Sequence, residues 1–530
     1  MSNGGAHTPG PAAQPKSHVP RALIDMHCHV FNASDLPVVS FIRLVVRHRY
    51  GSSGTATDLL IGYLAEILTG NAPRAGDELA DLKGEDRPPI ETFPPASDSI
   101  GTPMAPAAHA PRSPPSVYDT NPEESPAVGP QANTYATDAS LSGGNLSRLI
   151  KWIRLFNRSR LTLIKILSGM YESKGQQCVL MAPALVDYNV WLRDPEKKHQ
   201  RLTDQVAVMG AIARQPGKTR VHGFVGFDPL RAFLHREGRT PAHSGLPSFD
   251  PHKLVEDAVS DHGFLGVKLY PPMGFRAWNN ASPHMKFPKK VKDEVRMGIS
   301  DRDLGRIIDY ELKKLYLFCA NNGVPILAHT YNSNESDKCY GWRATPQYWK
   351  EAIENVSTPE KPLRVCLAHL CSFDAHTTNS ACRPPDTIAD AWESTFGRIL
   401  QDPKGQYAFA DLSYFQELLD REDGWRARRQ KILDQFKSFL HGRPENIDHL
   451  CYGSDWIMLG FEKRYEHHHE EVAQFLHDAG CLPADIGKVF FGNAVRFLGL
   501  GAGDKNRERL EKFYDDNNIR QYFPQFDAMA

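Results

Sequence analysis

Eight short runs rich in β-branched and aromatic residues recur along the chain: ALIDMHCHVF (22–31), QCVLMAP (177–183), RVHGFVGF (220–227), FLGVKLY (264–270), VPILAHT (324–330), RVCLAHL (364–370), YAFADLS (407–413) and LCYGSD (450–455). Helical patterns lie between them, such as 199–214, 302–321, 346–355, 385–401 and 425–440. Strand–helix alternation repeated eight times is the pattern of a closed parallel barrel, because a parallel strand needs a crossover that returns the chain to its starting end. An open doubly wound sheet is the rival, but no GxGxxG or GxxxxGK(S/T) follows any run. The expected fold is therefore α/β, a distorted (β/α)8 TIM barrel over 21–500 with a long insertion after strand 1.

That insertion spans 32–175. Between Pro88 and Pro130 lie twelve of the 39 prolines, mixed with Ser, Ala and Asp. Such a composition buries too little apolar area to offset chain ordering, so 72–145 reads as irregular. LSRLIKWIRLFNRSRLTLIKILSGMY (146–171) repeats apolar residues at helical spacing and reads as one amphipathic helix packed on the core. Residues 1–20 are rich in Gly, Pro and Ala and read as a disordered arm; 501–530 reads as a helical tail.

Barrel strands are buried on both faces, so an ionisable residue near a strand's C-terminal end is costly without a partner or ligand. Five runs end this way. The first carries Asp25, His27 and His29 at spacing two, which alternation places on one side with Met26 and Cys28 on the other. The fourth carries Lys268, the fifth His329, the sixth His369 and the eighth Asp455. A His-x-His pair alone is weak, since two hydrogen-bonded strand histidines explain it equally well. Joined by His, His and Asp from three further strands, it favours a metal centre, because imidazole plus carboxylate is the ligand set of Zn²⁺ or another divalent first-row cation.

The set DMHCH, GVKLYP, ILAH, CLAH and YGSDW, closed by FFGNAVRFLGL, resembles the amidohydrolase superfamily. The likeness is to its amidohydrolase-related branch of metal-dependent hydrolases, which also contains aminocarboxymuconate-semialdehyde decarboxylase and the resorcylate decarboxylases. The resemblance covers 21–31 and about 177–500. It departs from that branch in the length of the insertion and in CLAHLCSF, where Leu370 and Cys371 replace the usual aromatic and Gly. It implies a metal held by His27, His29 and His329 with Asp455 as a fourth contact. His369 is then the acid/base or polarising group, or a ligand of a second ion, and Asp455 also moves protons. For Lys268 three readings stand: a carboxylated bridge between two metals, an ion pair with a substrate carboxylate, or a structural lysine paired with Asp or Glu. One ion is favoured over two.

Weaker substrate contacts follow from position beyond strand ends: Asp187, Asp228, Tyr270, Asn332, Asn334, Tyr340, Arg343 and Trp456. Helix capping is as good an explanation for the two aspartates, and loop surface for the others. The triplet His467, His468 and His469 reads as solvated surface. No GxSxG is present, so a serine nucleophile loses ground.

The expected reaction is hydrolysis of an amide, ester or lactone by metal-activated water. The alternatives are non-oxidative decarboxylation of an aromatic or unsaturated acid, and a non-catalytic barrel that binds partners through its Pro-rich segment. Composition narrows the partners. With 62 Lys+Arg against 63 Asp+Glu there is no basic field for nucleic acid. The best apolar runs are interrupted by Arg43 and Glu66, and the first twenty residues lack a signal-peptide core. Nine cysteines, odd in number and without a CxxC pair, read as reduced thiols. The expected partner is a small-molecule substrate in a cytoplasmic protein, with neither nucleic acid nor membrane involved and self-association left open.

Overall fold

The computed structural model describes residues 18–35, 41, 70–84, 143–192, 201–240, 248–332, 336–337, 339–373 and 383–529. Nine short strands form its centre: β1 (Ala22–Cys28), β2 (Gln177–Pro183), β3 (Arg220–Val221), β4 (Phe224–Gly226), β5 (Gly266–Leu269), β6 (Ile326–His329), β7 (Val365–Ala368), β8 (Ala408–Asp411) and β9 (Leu450–Cys451). They pair in chain order, all parallel, as β1–β2–β3 and β4–β5–β6–β7–β8–β9.

Two seams join these sheets into a ring. At one, Ala184 bridges to Phe224 and the Leu185 N–H reaches the Phe224 carbonyl at 2.9 Å. At the other, the Met26 N–H meets the Tyr452 carbonyl at 3.3 Å, and the Ser454 and Asp455 N–H groups meet the His27 carbonyl at 3.0 and 2.8 Å. Gly453 permits the second seam, since a Cβ there would lie 2.7 Å from that of His27. β3 and β4 are one barrel position, interrupted at His222 and Gly223, so eight positions close the barrel, as the alternation predicts.

Ile24, Met26, Leu180, Phe224, Leu327, Cys366 and Phe409 share one apolar cluster with Phe497, Phe513 and Tyr514 of the C-terminal helices. Phe497 stacks on Phe224 at 6.2 Å and touches Phe409 at 5.6 Å. The helix Lys505–Asp516 is therefore a plug against the barrel interior rather than a loose tail. A second, larger cluster fills the layer between strands and outer helices.

Five expectations need correction, the last of them on the cysteines. Asp25 does not share a side with His27 and His29: the β1–β2 register shifts between Asp25 and Cys28, and the irregularity breaks the alternation. The Asp25 carboxylate instead accepts from the Ser454 N–H and Oγ at 3.0 and 2.7 Å and from the Tyr171 hydroxyl at 2.8 Å. The stretch 146–171 is two helices, Gly143–Leu155 and Arg160–Glu172, broken where Ser159 caps the second by accepting from the Thr162 N–H at 3.2 Å. The segment 72–145 contains a helix, Ala75–Lys83, while its proline-rich part lies outside the described residues. His468 and His469 are buried, because consecutive helix positions turned toward Tyr452 and Tyr171 escape a periodicity argument. The arm 1–20 lies outside the described residues up to 17, and beyond them Val19 is buried.

Six cysteines (Cys28, Cys178, Cys319, Cys366, Cys451 and Cys481) are free. Cys339 is disulfide-bonded, against the expectation of reduced thiols throughout, since linear spacing cannot reveal which loops meet in space. Among the described residues no helix is long and apolar enough to cross a membrane.

Candidate metal centre

At the C-terminal ends of the strands, where barrel enzymes place their chemistry, His27, His369 and Asp455 bring donor atoms within 4.8 Å of one another. His29 joins through Asp455, its Nε2 lying 3.2 Å from Asp455 Oδ1, and His27 Nε2 is 3.5 Å from the same oxygen. His329 approaches from β6 with its ring 4.9 Å from that of His369 and stacked at 4.1 Å on Tyr270. Lys268, from β5, reaches His27 Nε2 with its Nζ at 3.0 Å. The resemblance gives the metal to His329 and the proton to His369, whereas the geometry draws His369 into the compact group.

The imidazoles are held from behind. His27 Nδ1 bonds Asp411 Oδ2 at 2.9 Å and Ser413 Oγ at 3.0 Å. His29 Nδ1 donates to the Ala184 carbonyl at 2.7 Å, and His369 Nδ1 pairs with Ser413 Oγ at 2.9 Å. A hydrogen bond at Nδ1 fixes the tautomer and turns the Nε2 lone pair toward the centre, which is the outer-sphere arrangement of metal-binding histidines; at His27 that lone pair is met by Lys268 Nζ, which a bound cation would displace. Asp411 also accepts the His369 backbone N–H at 2.8 Å, so one carboxylate sets two ligand positions. Asp411 and Ser413 escaped the sequence reading, although YAFADLS also ends in polar residues after an apolar run.

Burial dominates the electrostatics. It holds the His27 imidazole down at about 3, helped by the Lys268 ammonium, and lowers His369 and His329 as well. It brings Lys268 down to about 8, against the pull of Asp455 and Asp411. Burial pushes the Asp455 carboxyl up, but His369, His29 and His27 around it outweigh this and hold it at about 2. Neutral imidazoles beside an ionised carboxylate are the protonation states that a divalent cation requires of its ligands, so the donor set fits a metal.

The other expected residues divide by what their polar atoms already do. Asp187 is bound by Arg231, with Nη2 on Oδ1 at 3.0 Å. Asp228 caps the helix Pro229–Arg236, its Oδ1 accepting from the Leu230 N–H and from Trp191 Nε1, both at 2.9 Å. The Arg343 guanidinium lies over the Tyr340 ring and donates to the Gly274 and Lys286 carbonyls. Trp456 is fully buried, and its ring faces Tyr465. Asn332 lies against Gly341, and Asn334 is outside the described residues.

No family model matches the chain, and no curated protein does. Solved structures do. One is an amidohydrolase from Burkholderia multivorans crystallised with bound zinc (12% identity, 68% of this chain and 95% of that one, TM-score 0.36). Another is described as a metal-dependent hydrolase from Lactobacillus casei (12%, 92% and 96%, 0.39). A third is an uncharacterised TIM-barrel protein from Bordetella bronchiseptica (15%, 55% and 71%, 0.30).

Proposed function

We propose that the protein is a metal-dependent hydrolase of the amidohydrolase superfamily that cleaves an amide, ester or lactone bond. One observation carries the reading: buried imidazoles from β1 and from the end of β7 face one carboxylate at the barrel mouth, with three Nδ1 atoms satisfied from behind. His27, His29, His369 and Asp455 would hold the ion, with His329 beside them. A bound Zn²⁺ or similar cation supplies Lewis acidity, lowering the pKa of a bound water to about 7 and polarising a carbonyl.

The chain's own groups do the rest. Asp455, kept ionised by the surrounding imidazoles, accepts the proton of the attacking water and returns it to the leaving nitrogen or oxygen. Lys268, projecting beside His27, orients the substrate's carbonyl oxygen by a charge-assisted hydrogen bond. Burial of the whole mouth layer excludes bulk water and strengthens both interactions.

The test is elemental analysis of purified protein combined with a screen over amides, esters, lactones and aromatic acids. About one ion per chain with hydrolytic turnover supports the reading; a metal-free active protein, or turnover of carboxylic acids alone, overturns it. In Asp455→Asn the amide cannot accept the proton, so turnover should fall by about 10² to 10⁴ while the ion remains bound. Full activity in that variant would remove Asp455 from the proton path. His369→Ala should release the ion if the compact group is the ligand set, and retention together with release in His329→Ala would restore the roles that the resemblance implies.

A further inference from the structure

Asp455 stands in the left-handed region, at φ 54°. That conformation is uncommon outside glycine, although Asp tolerates it better than most, and it persists where the surroundings impose it. Here both neighbours of Asp455 are pinned through one carboxylate. Asp25 Oδ1 accepts the Ser454 N–H at 3.0 Å, and its Oδ2 accepts the Ser454 hydroxyl at 2.7 Å. Ser454 Oγ in turn accepts the Trp456 N–H at 3.1 Å, so a single hydroxyl brackets Asp455 from either side. Asp25 Oδ2 also accepts from the Tyr171 hydroxyl of the helix Arg160–Glu172, at 2.8 Å. Closing the barrel does not call for this carboxylate. Along the same seam backbone N–H groups already bond from Met26 to Tyr452, from Ser454 and Asp455 to His27, and from His29 to Trp456. A carboxylate buried as fully as Asp25 is costly, and across the seam its side-chain oxygens hold Ser454, the residue beside the carboxylate of the metal centre.

On the reading of the metal centre given above, we infer that Asp25 is a positioning residue: acting through Ser454, it holds the turn at Asp455 so that Oδ1 faces His29 Nε2 and His27 Nε2. Asp25 and both imidazoles belong to the chain of β1 and its continuation. One segment thus sets its own two ligands and also the carboxylate that faces them. When the grip on Ser454 is loosened, Asp455 is free to leave the left-handed region, which swings its Cα–Cβ bond away from the imidazoles. His27 meanwhile keeps Asp411 and Ser413 behind it, and His29 keeps the Ala184 carbonyl. The ion therefore feels the loss of Asp25 through Asp455 and not through the histidines.

Zinc affinity of the full chain, measured by competition with a chromophoric chelator, tests this in a double-mutant cycle. Asp25→Asn keeps the shape but turns one acceptor into an NH₂ donor, so the grip on Ser454 loses a bond. Affinity should fall about tenfold, the low end for groups outside the ligand set. Asp455→Asn should weaken binding on its own account while still loading at excess zinc. The double variant should then bind within about twofold of Asp455→Asn alone, since no ligand carboxylate is left to position. An Asp25 that only stabilises the fold would loosen the mouth as a whole, and the two losses would multiply. Ser454→Ala, which removes the bracket, should follow the pattern of Asp25→Asn. Tyr171→Phe leaves the grip on Ser454 and should lower the melting temperature with zinc affinity unchanged. Multiplying losses in the cycle, unchanged affinity in folded Asp25→Asn, or a loss in Tyr171→Phe as large as in Asp25→Asn would overturn the inference. Should Asp25→Asn fail to fold, the cycle run with Ser454→Ala decides it by the same criterion. A chain that takes up no zinc overturns the metal reading and this inference with it, whereas zinc bound with multiplying losses counts against the inference alone.

Discussion

Asp411 touches the centre only through His27 and His369, which makes it a sensitive probe of how the ligands are held. Asp411→Asn keeps the shape but weakens the acceptor for His27 Nδ1, so affinity for zinc should drop by about 10- to 100-fold with the fold intact. A competition titration with a chromophoric chelator measures this, and unchanged affinity would show that Ser413 alone fixes the ring. At this scale the sequence was informative for ligands and poor for their supports. His27, His29, His369 and Asp455 stood out because an ionisable group at a buried strand end needs an explanation. Asp411 sits in the same kind of position, and nothing in YAFADLS tells an outer support from a cap. The side of β1 that Asp25 occupies was also hidden, since alternation assumes a regular strand and the register shift after Asp25 is set by its partner β2.

The insertion after β1 is fastened to the barrel by elements whose sequence gave no hint of their partners. Trp152 donates its indole N–H to the Ile457 carbonyl at 2.9 Å, two residues beyond Asp455. At the start of the next helix, fully buried Arg160 binds Asp35 and Glu78, and its backbone N–H donates to Glu78 Oε2 at 2.9 Å. Arg160→Ala would leave two buried carboxyls without their cation, a loss of about 3 to 5 kcal/mol in chemical denaturation. Replacing all three by apolar residues of similar size should recover most of it, whereas an unchanged midpoint in Arg160→Ala would show that the cluster adds nothing. Periodicity revealed that 146–171 is helical but not its break, because Ser159 reads as a polar face residue until its capping bond to Thr162 is seen. The same limit applies to the His triplet: a helical wheel cannot separate a wet face from one covered by a distant tyrosine.

Across the whole molecule, acid sensitivity follows from histidines buried in the neutral form. His222, at the break between β3 and β4, bonds the Gly263 carbonyl at 2.8 Å and the Tyr514 hydroxyl at 2.9 Å. Burial, aided by Arg220, lowers it to about 3, and burial with His469 beside it lowers His468 to about 3. Below the unfolded value near 6.5 the unfolded chain takes up protons that the folded one refuses. Each histidine thus costs up to about 1.4 kcal/mol per pH unit as pH falls toward its folded pKa. Asp25, raised by burial to about 6, has the opposite sign between there and its ordinary range near 3.8, so the decline should be shallow at first and steepen below that. Urea midpoints of chelator-treated protein across this range check the shape, and His222→Gln should flatten it. The barrel itself was legible because eight repeats outvote any single misread strand, while its two seams were not, since they rest on isolated hydrogen bonds around Gly223 and Gly453. Phe497 and Tyr514 close the interior on the side away from the centre, so among the described residues that end offers no passage and the mouth serves for both entry and exit. The last hydrolysis product to leave then occupies the place the next substrate needs, so that product should inhibit competitively with substrate in initial-rate plots, and the absence of such inhibition by either product would count against a shared opening.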